Sequence, residues 1–273
     1  MYNLYKLFGY KFIYYLMYPI SLFYCFKARN TKEALRIYYK HIGEEFTFSV
    51  YYKHLRHFAI CMCDRFISAI APLDYTFGAK DIGRLEKELK EGGILLSSHF
   101  GGWSSVSNCL NCMDIKVNII MQEVMLEGIR SIEKSLKKSE ETNIKIIDIS
   151  KGGFGISIDI AEALSKNEVI AMMGDRASSK KNRKGIKFFG DIGYFNKNPF
   201  EIAYKTGKTL HALFISYDKP QTYKLDYIKI DINRDNKMDD EVSRCMKIYA
   251  DRYALNIKQY PQGWFNFYDF WEK

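Results

Sequence analysis

The charge-free N-terminal stretch of this 273-residue chain, Phe12–Phe26, runs for only 15 residues. A helix that spans a bilayer needs about 20. No small-residue cleavage site follows that segment, so a cleavable signal peptide is not expected. Repeats, low-complexity tracts and a linker that would divide the core are also missing. Those absences point to one large domain or a domain with an appendage. The six cysteines, at 25, 61, 63, 109, 112 and 245, do not complete a four-ligand zinc pattern. They read as free thiols of a reducing compartment, with no metal site. Gly152-Gly153-Phe154-Gly155 lacks the spacing of a dinucleotide fingerprint. Thr206-Gly207-Lys208-Thr209 echoes a P-loop ending, but Ile202 stands where the first glycine is required. Although the net charge is +9, the basic residues are dispersed and no nucleic-acid module is recognisable, so nucleic acid is not an expected partner.

What the chain has in quantity is aromatic residues, 16% of the total, with 21 Tyr and 19 Phe. Tyrosine and tryptophan suit cores and also membrane interfaces, where one end of the ring is apolar and the other wet. Residues 1–30 concentrate aromatics and aliphatics beside Lys6, Lys11, Lys27 and Arg29. That composition predicts a helix lying on a membrane surface, kinked at Pro19. A packed N-terminal core helix is the alternative. The basic excess suits anionic headgroups, phosphorylated cofactors or an acidic carrier protein.

From residue 31 to 273 the pattern is that of an α/β domain. Residues 32–71 read as amphipathic helix closing at Pro72, and 81–91 as a charged surface helix stopped by Gly92-Gly93. Short apolar strands follow at 94–98, 116–121, 144–149, 169–173 and 209–217, with an edge-like alternation at 223–232. Helices are expected near 103–113, 126–138, 156–165, 199–206 and 239–257. Strands alternating with helices predict a mixed, largely parallel central sheet flanked by helices.

His41, His54 and His57 fall in helical stretches and His211 inside a strand. His99 differs, because it follows the strand Ile94–Ser98 directly and precedes Gly101-Gly102 and Trp103. That position presents an imidazole at the end of a buried strand. Further blocks follow in order. Val169–Met173 leads into Gly174-Asp175-Arg176; Lys187-Phe188-Phe189-Gly190 precedes Asn198-Pro199-Phe200; and the chain closes with Tyr260-Pro261-Gln262-Gly263-Trp264-Phe265-Asn266-Phe267-Tyr268-Asp269-Phe270-Trp271.

Together these blocks resemble the lysophospholipid acyltransferase superfamily, nearest its bacterial lipid A late-acyltransferase branch. The resemblance implies a glycerolipid acyltransferase-like fold and transfer of a fatty acyl group from a thioester, on CoA or acyl carrier protein, to a lipid hydroxyl. It implies no cofactor and no metal. The enzyme would work at the cytoplasmic face of the inner membrane, with membrane lipids as partners. His99 would be the general base, and N–H groups around Gly101 and Gly102 would receive the oxyanion. Trp103, Glu123, Arg130, Arg176, Phe189 and Gly190 are the remaining substrate-contact candidates, Arg176 as a phosphate ligand or else as the partner of a salt bridge with Asp175.

The chain departs from the family pattern at one position. The acid expected five residues after the histidine is Ser104. A neutral hydroxyl can orient the ring but does not stabilise an imidazolium by charge. Three readings follow: Asp175 or Glu123 supplies the carboxylate, Ser104 itself orients His99, or the protein binds lipid without turnover.

Overall fold

The computed structural model describes residues 2–78, 82–105, 110, 113, 115–121, 143–149 and 152–272. Three helices lead the chain: α1 (Tyr2–Lys27), α2 (Arg29–Ile42) and α3 (Phe48–Ile70). Then come β1 (Thr76–Gly78), α4 (Ile82–Leu89), β2 (Gly93–Ser97), β3 (Val117–Met121), β4 (Ile144–Asp148), α5 (Gly152–Ser165) and β5 (Val169–Met173). A hairpin of β6 (Arg183–Phe188) and β7 (Asp191–Asn196), helix α6 (Asn198–Thr206), strands β8 (Leu210–Lys219) and β9 (Thr222–Ile230), and α7 (Met238–Gln259) complete the order.

Seven strands form one sheet in the order β1-β9-β8-β2-β5-β3-β4. Only the β8–β9 pair is antiparallel, so the sheet is mixed and largely parallel, as the alternation of elements predicts. Strand β2 is central and buried along its whole length. Successive side chains on a strand point to opposite faces. Accordingly Ile94 and Leu96 join one core and Leu95 the other. Leu210, Ala212 and Phe214 of β8 likewise face the first core, and Leu213 and Ile215 the second.

One sequence expectation about strands needs correction. The alternating segment near 223–232 is not the edge, because the short β1 pairs with it in parallel. Three residues are too few to show a period-2 pattern, so β1 is not visible in the sequence. The segment around Phe188-Phe189-Gly190 is a two-residue hairpin turn between paired strands. Phe189 and Gly190 both have positive φ, 52° and 93°, as a twisted hairpin turn requires.

Helix α1 buries a single stripe, Ile13, Met17, Ser21 and Cys25, and packs on α3. That four-residue spacing is one face of a helix. Tyr10, Tyr14, Leu16 and Ile20 pack partly buried beside that stripe, and Leu7, Phe8, Tyr15, Phe23 and Phe26 are among the apolar side chains that point outward. The backbone leaves helical geometry at Gly9, while Pro19 sits inside the helix, so the expected kink lies elsewhere. Among the described residues no helix is long and apolar enough to cross a membrane.

Several titratable groups are locked in the two cores. His54 donates through Nε2 to the carbonyl of Trp264 at 2.5 Å and accepts at Nδ1 from the Tyr39 hydroxyl at 3.0 Å. Asp64 accepts hydrogen bonds from Tyr75 at 2.8 Å and Tyr223 at 2.5 Å. Burial pushes His54 and His211 down to about 4 and His57 to about 3. Between about 6.5 and 4 the unfolded chain therefore takes up these protons first, and stability falls with pH. Asp64 acts in the opposite direction, since burial raises it to about 6 and the folded state is protonated first. Three imidazoles outweigh one carboxyl, at about 1.4 kcal/mol per pKa unit. The urea midpoint is expected to drop steadily from pH 7 to pH 4.5; a flat or rising profile would contradict these assignments.

Candidate active site

The parallel register of β2 and β5 builds the centre of the site. Ser97 pairs with Met173, an offset held along the whole strand pair. Two residues further, the same offset sets His99 opposite Asp175. Ligand sites of open α/β sheets lie at this end, beyond the carboxyl ends of the parallel strands. The Gly174 N–H donates to the Ser97 carbonyl at 2.8 Å and so carries the pairing one step past the strands. Asn196 of the hairpin fixes the same corner, donating from its side chain to the Met173 carbonyl and from its backbone to that of Gly174. The Tyr249 hydroxyl donates to the Ser97 carbonyl at 3.1 Å from α7.

Asp175 is completely buried, whereas the His99 side chain keeps 19% of its surface exposed. His99 Nδ1 lies 3.1 Å from Asp175 Oδ1, and the His99 backbone N–H donates to Oδ2 at 2.8 Å. Asn266 Nδ2 donates to the same Oδ2 at 2.8 Å. Burial alone raises a carboxyl, but the adjacent His99 and three hydrogen bonds reverse that, and Asp175 is held below the ordinary carboxylate range. A carboxylate at Nδ1 fixes the proton on that nitrogen and leaves Nε2 as the ring's acceptor. The Trp103 ring stands 5.6 Å from the imidazole, and Phe265 lies 5.5 Å from Trp103.

Ser104 takes no part in this pair. Nδ1 is engaged by Asp175, and the buried Ser104 Oγ makes no hydrogen bond among the described residues. The expectation for Gly101 and Gly102 also fails, because their N–H groups are already used. Gly101 donates to the Gly263 carbonyl and Gly102 to that of Ile215, both at 2.9 Å. These glycines serve close packing instead. A Cβ on Gly101, at φ +52°, would sit 2.0 Å from the Ile215 oxygen, and one on Gly102 would sit 2.5 Å from the Tyr223 ring.

Arg176 is exposed and forms no ion pair with Asp175 among the described residues. Its Nη2 and Nε donate to Asn266 Oδ1 at 2.9 and 3.3 Å, and its guanidinium lies over the Tyr268 ring at 5.2 Å. The salt-bridge alternative is thereby replaced by a bridge through Asn266. Phe189 and Gly190 belong to the hairpin turn. Phe189 packs on Phe188 and the core, and neither residue contacts His99 or Asp175 among the described residues. Glu123 and Arg130, the helix expected at 126–138, and Cys109 and Cys112 lie outside the described residues, as does most of the helix expected at 103–113. No group of three His, Cys, Asp or Glu side chains among the described residues could hold a metal ion.

Asn266 is the site residue that sequence reasoning missed. Its signal was faint: one amide in a closing segment of aromatic rings. Phe265 N–H donates to the His99 carbonyl at 2.9 Å, so that segment is tied directly to the histidine turn.

Comparison with known proteins bears on the family of the chain. The family described as bacterial lipid A biosynthesis acyltransferase matches residues 67–273. A phosphatidylinositol mannoside acyltransferase of Mycolicibacterium smegmatis is 21% identical over 195 residues, which cover 71% of this chain and 59% of that protein. The chain thus matches less than two thirds of that relative's length.

The close approach at Gly101 gives a direct test. Gly101→Ala combines a left-handed φ with a backbone clash and should destabilise the protein by at least about 3 kcal/mol. Gly190→Ala, at φ +93° with nothing within 4 Å of the new Cβ, should cost about 1 kcal/mol. Urea unfolding separates them, and equal losses would contradict the packing role given to Gly101.

Proposed function

The chain belongs to the bacterial lipid A biosynthesis acyltransferases, and on that premise we propose that it transfers a fatty acyl group from a thioester to a hydroxyl of a lysophospholipid or glycolipid. The donor would be acyl-CoA or acyl carrier protein. The observation that carries this reading is the buried Asp175 held at Nδ1 of a partly exposed His99.

The chemistry follows from that pair. A hydroxyl is a poor nucleophile until its proton is removed as it attacks. His99 Nε2 takes that proton while the hydroxyl oxygen bonds to the thioester carbonyl carbon. Asp175 stabilises the imidazolium that forms and keeps the ring oriented. The tetrahedral intermediate then collapses, the carbon–sulfur bond breaks, and the imidazolium returns its proton to the departing thiolate. Oxygen ester and free thiol are the products, and His99 and Asp175 are restored.

Substrate placement is inferred from what surrounds the pair. Trp103 forms one wall beside the imidazole, suited to the acyl chain. Arg176 offers exposed guanidinium to a phosphate of the donor or of an anionic headgroup. The outward apolar side of α1, flanked by Lys6, Lys11, Lys27 and Arg29, suits a seat on an anionic membrane, with aromatic rings at the headgroup level. The cytoplasmic face of the inner membrane is the proposed location, because acyl-CoA and acyl carrier protein are found on that side. A lipid-binding protein without turnover loses its motive once a carboxylate stands at Nδ1.

Thioester consumption over a panel of lysolipid and glycolipid acceptors, with both donor types, tests the proposal. His99→Ala and Asp175→Ala are each expected to lower turnover by about a thousandfold. Ser104→Ala should stay within about threefold of the native chain, and Ser104→Glu should bring no gain. Equal rates for the native chain and His99→Ala across all acceptors and donors would overturn the assignment.

A further inference from the structure

Asn266 is fully buried, and each end of its amide has a partner. Oδ1 accepts from the Arg176 guanidinium, and Nδ2 donates to Asp175 Oδ2. The two ends are not interchangeable. An arginine only donates and a carboxylate only accepts, so Arg176 sets which end of the amide faces Asp175. The result is a continuous chain from exposed Arg176 through Asn266 and Asp175 to the His99 ring.

We propose that Asn266 is a positioning residue, whose Arg176-locked amide holds the Asp175 carboxylate aimed at Nδ1 of His99. The proposal rests on the reading of His99 as general base. Asp175 forms no ion pair with a lysine or arginine among the described residues. Its orientation therefore depends on neutral donors. The His99 backbone N–H is one and the Asn266 amide is the other, both on Oδ2. Together they prevent the carboxylate from turning and leave Oδ1 for the ring.

The backbone around Asn266 is fixed independently of the amide. Trp264 Nε1 donates to the Asn266 carbonyl at 3.2 Å, and Phe265 N–H donates to the His99 carbonyl. His54 holds the Trp264 carbonyl from α3. A change confined to the amide can thus be made without releasing the segment.

Asn266→Asp is the informative variant, because it keeps shape and volume and still offers Arg176 an acceptor. It removes the donor to Asp175 and places a second carboxylate beside it, which disfavours two adjacent charges. We expect kcat to fall by about tenfold to a hundredfold with KM within about threefold. The acid limb of the kcat/KM profile should move to higher pH. In 15N-histidine-labelled protein, the downfield proton on His99 Nδ1, assigned by its loss in His99→Ala, should shift or vanish. Native kcat, pH profile and resonance in Asn266→Asp would overturn the proposal. Should that variant not fold, Asn266→Ala is read by the same three measurements and the same criterion. If the native chain turns over no thioester, the reading of His99 as base fails, while the imidazole resonance still decides the role of Asn266.

Discussion

The parallel pairing of β2 with β5 is the constraint on which the site depends. Two strands in fixed register end together, and each is followed two residues later by a site residue, His99 on one and Asp175 on the other. Neither side chain has to be brought in by a long loop. Three neighbours hold the corner in place: Asn196 from the hairpin, Tyr249 from α7 and the closing segment through Phe265. Glycine at 101 and 102 lets the histidine turn press against β8 and Tyr223 at distances no other residue allows. The aromatic richness of the chain finds its structural use here, since Trp264 stacks on Tyr38 at 5.1 Å and packs with Tyr253 and Phe270 behind the site.

How much of this could be read from the sequence differs from residue to residue. The core strands were legible because buried parallel strands are short apolar runs, and their alternation with helices sets the class of fold. His99 was legible because it ends such a run before two glycines. Asp175 shares that property, and it was one of two carboxylates considered for the missing acid. What selects it is register, a relation between two strands 76 residues apart that no local pattern encodes. Asn266 was illegible for the same reason, being an amide whose meaning lies in partners 90 and 91 residues away. That Phe189 and Gly190 form a hairpin turn was not legible, because positive φ is not visible in composition. Gly101 and Gly102 misled because a glycine that admits a neighbouring backbone looks the same as one that exposes its own N–H.

Ser104 marks where the chain leaves the pattern it resembles, and the geometry gives that departure a physical sense. An imidazole base needs one carboxylate at Nδ1, and any element that ends beside it can provide one. In this fold the neighbouring strand end sets Asp175 at that nitrogen, and Asn266 and Arg176 continue the hydrogen-bonded chain to the surface. Helix α1 buries one stripe on α3 and leaves Phe8, Phe12, Tyr15, Phe23, Tyr24 and Phe26 exposed. That exposed aromatic face is what supports the proposed seat on a lipid surface.

The central claim is that Asp175 works through His99 as one unit. A double-mutant cycle on thioester turnover reads this most directly, using His99→Ala, Asp175→Ala and the two together. If the pair acts as one unit, the double variant is no slower than His99→Ala alone, within about threefold. Losses that multiply, so that the double variant is slower by the product of the two single effects, would contradict the account.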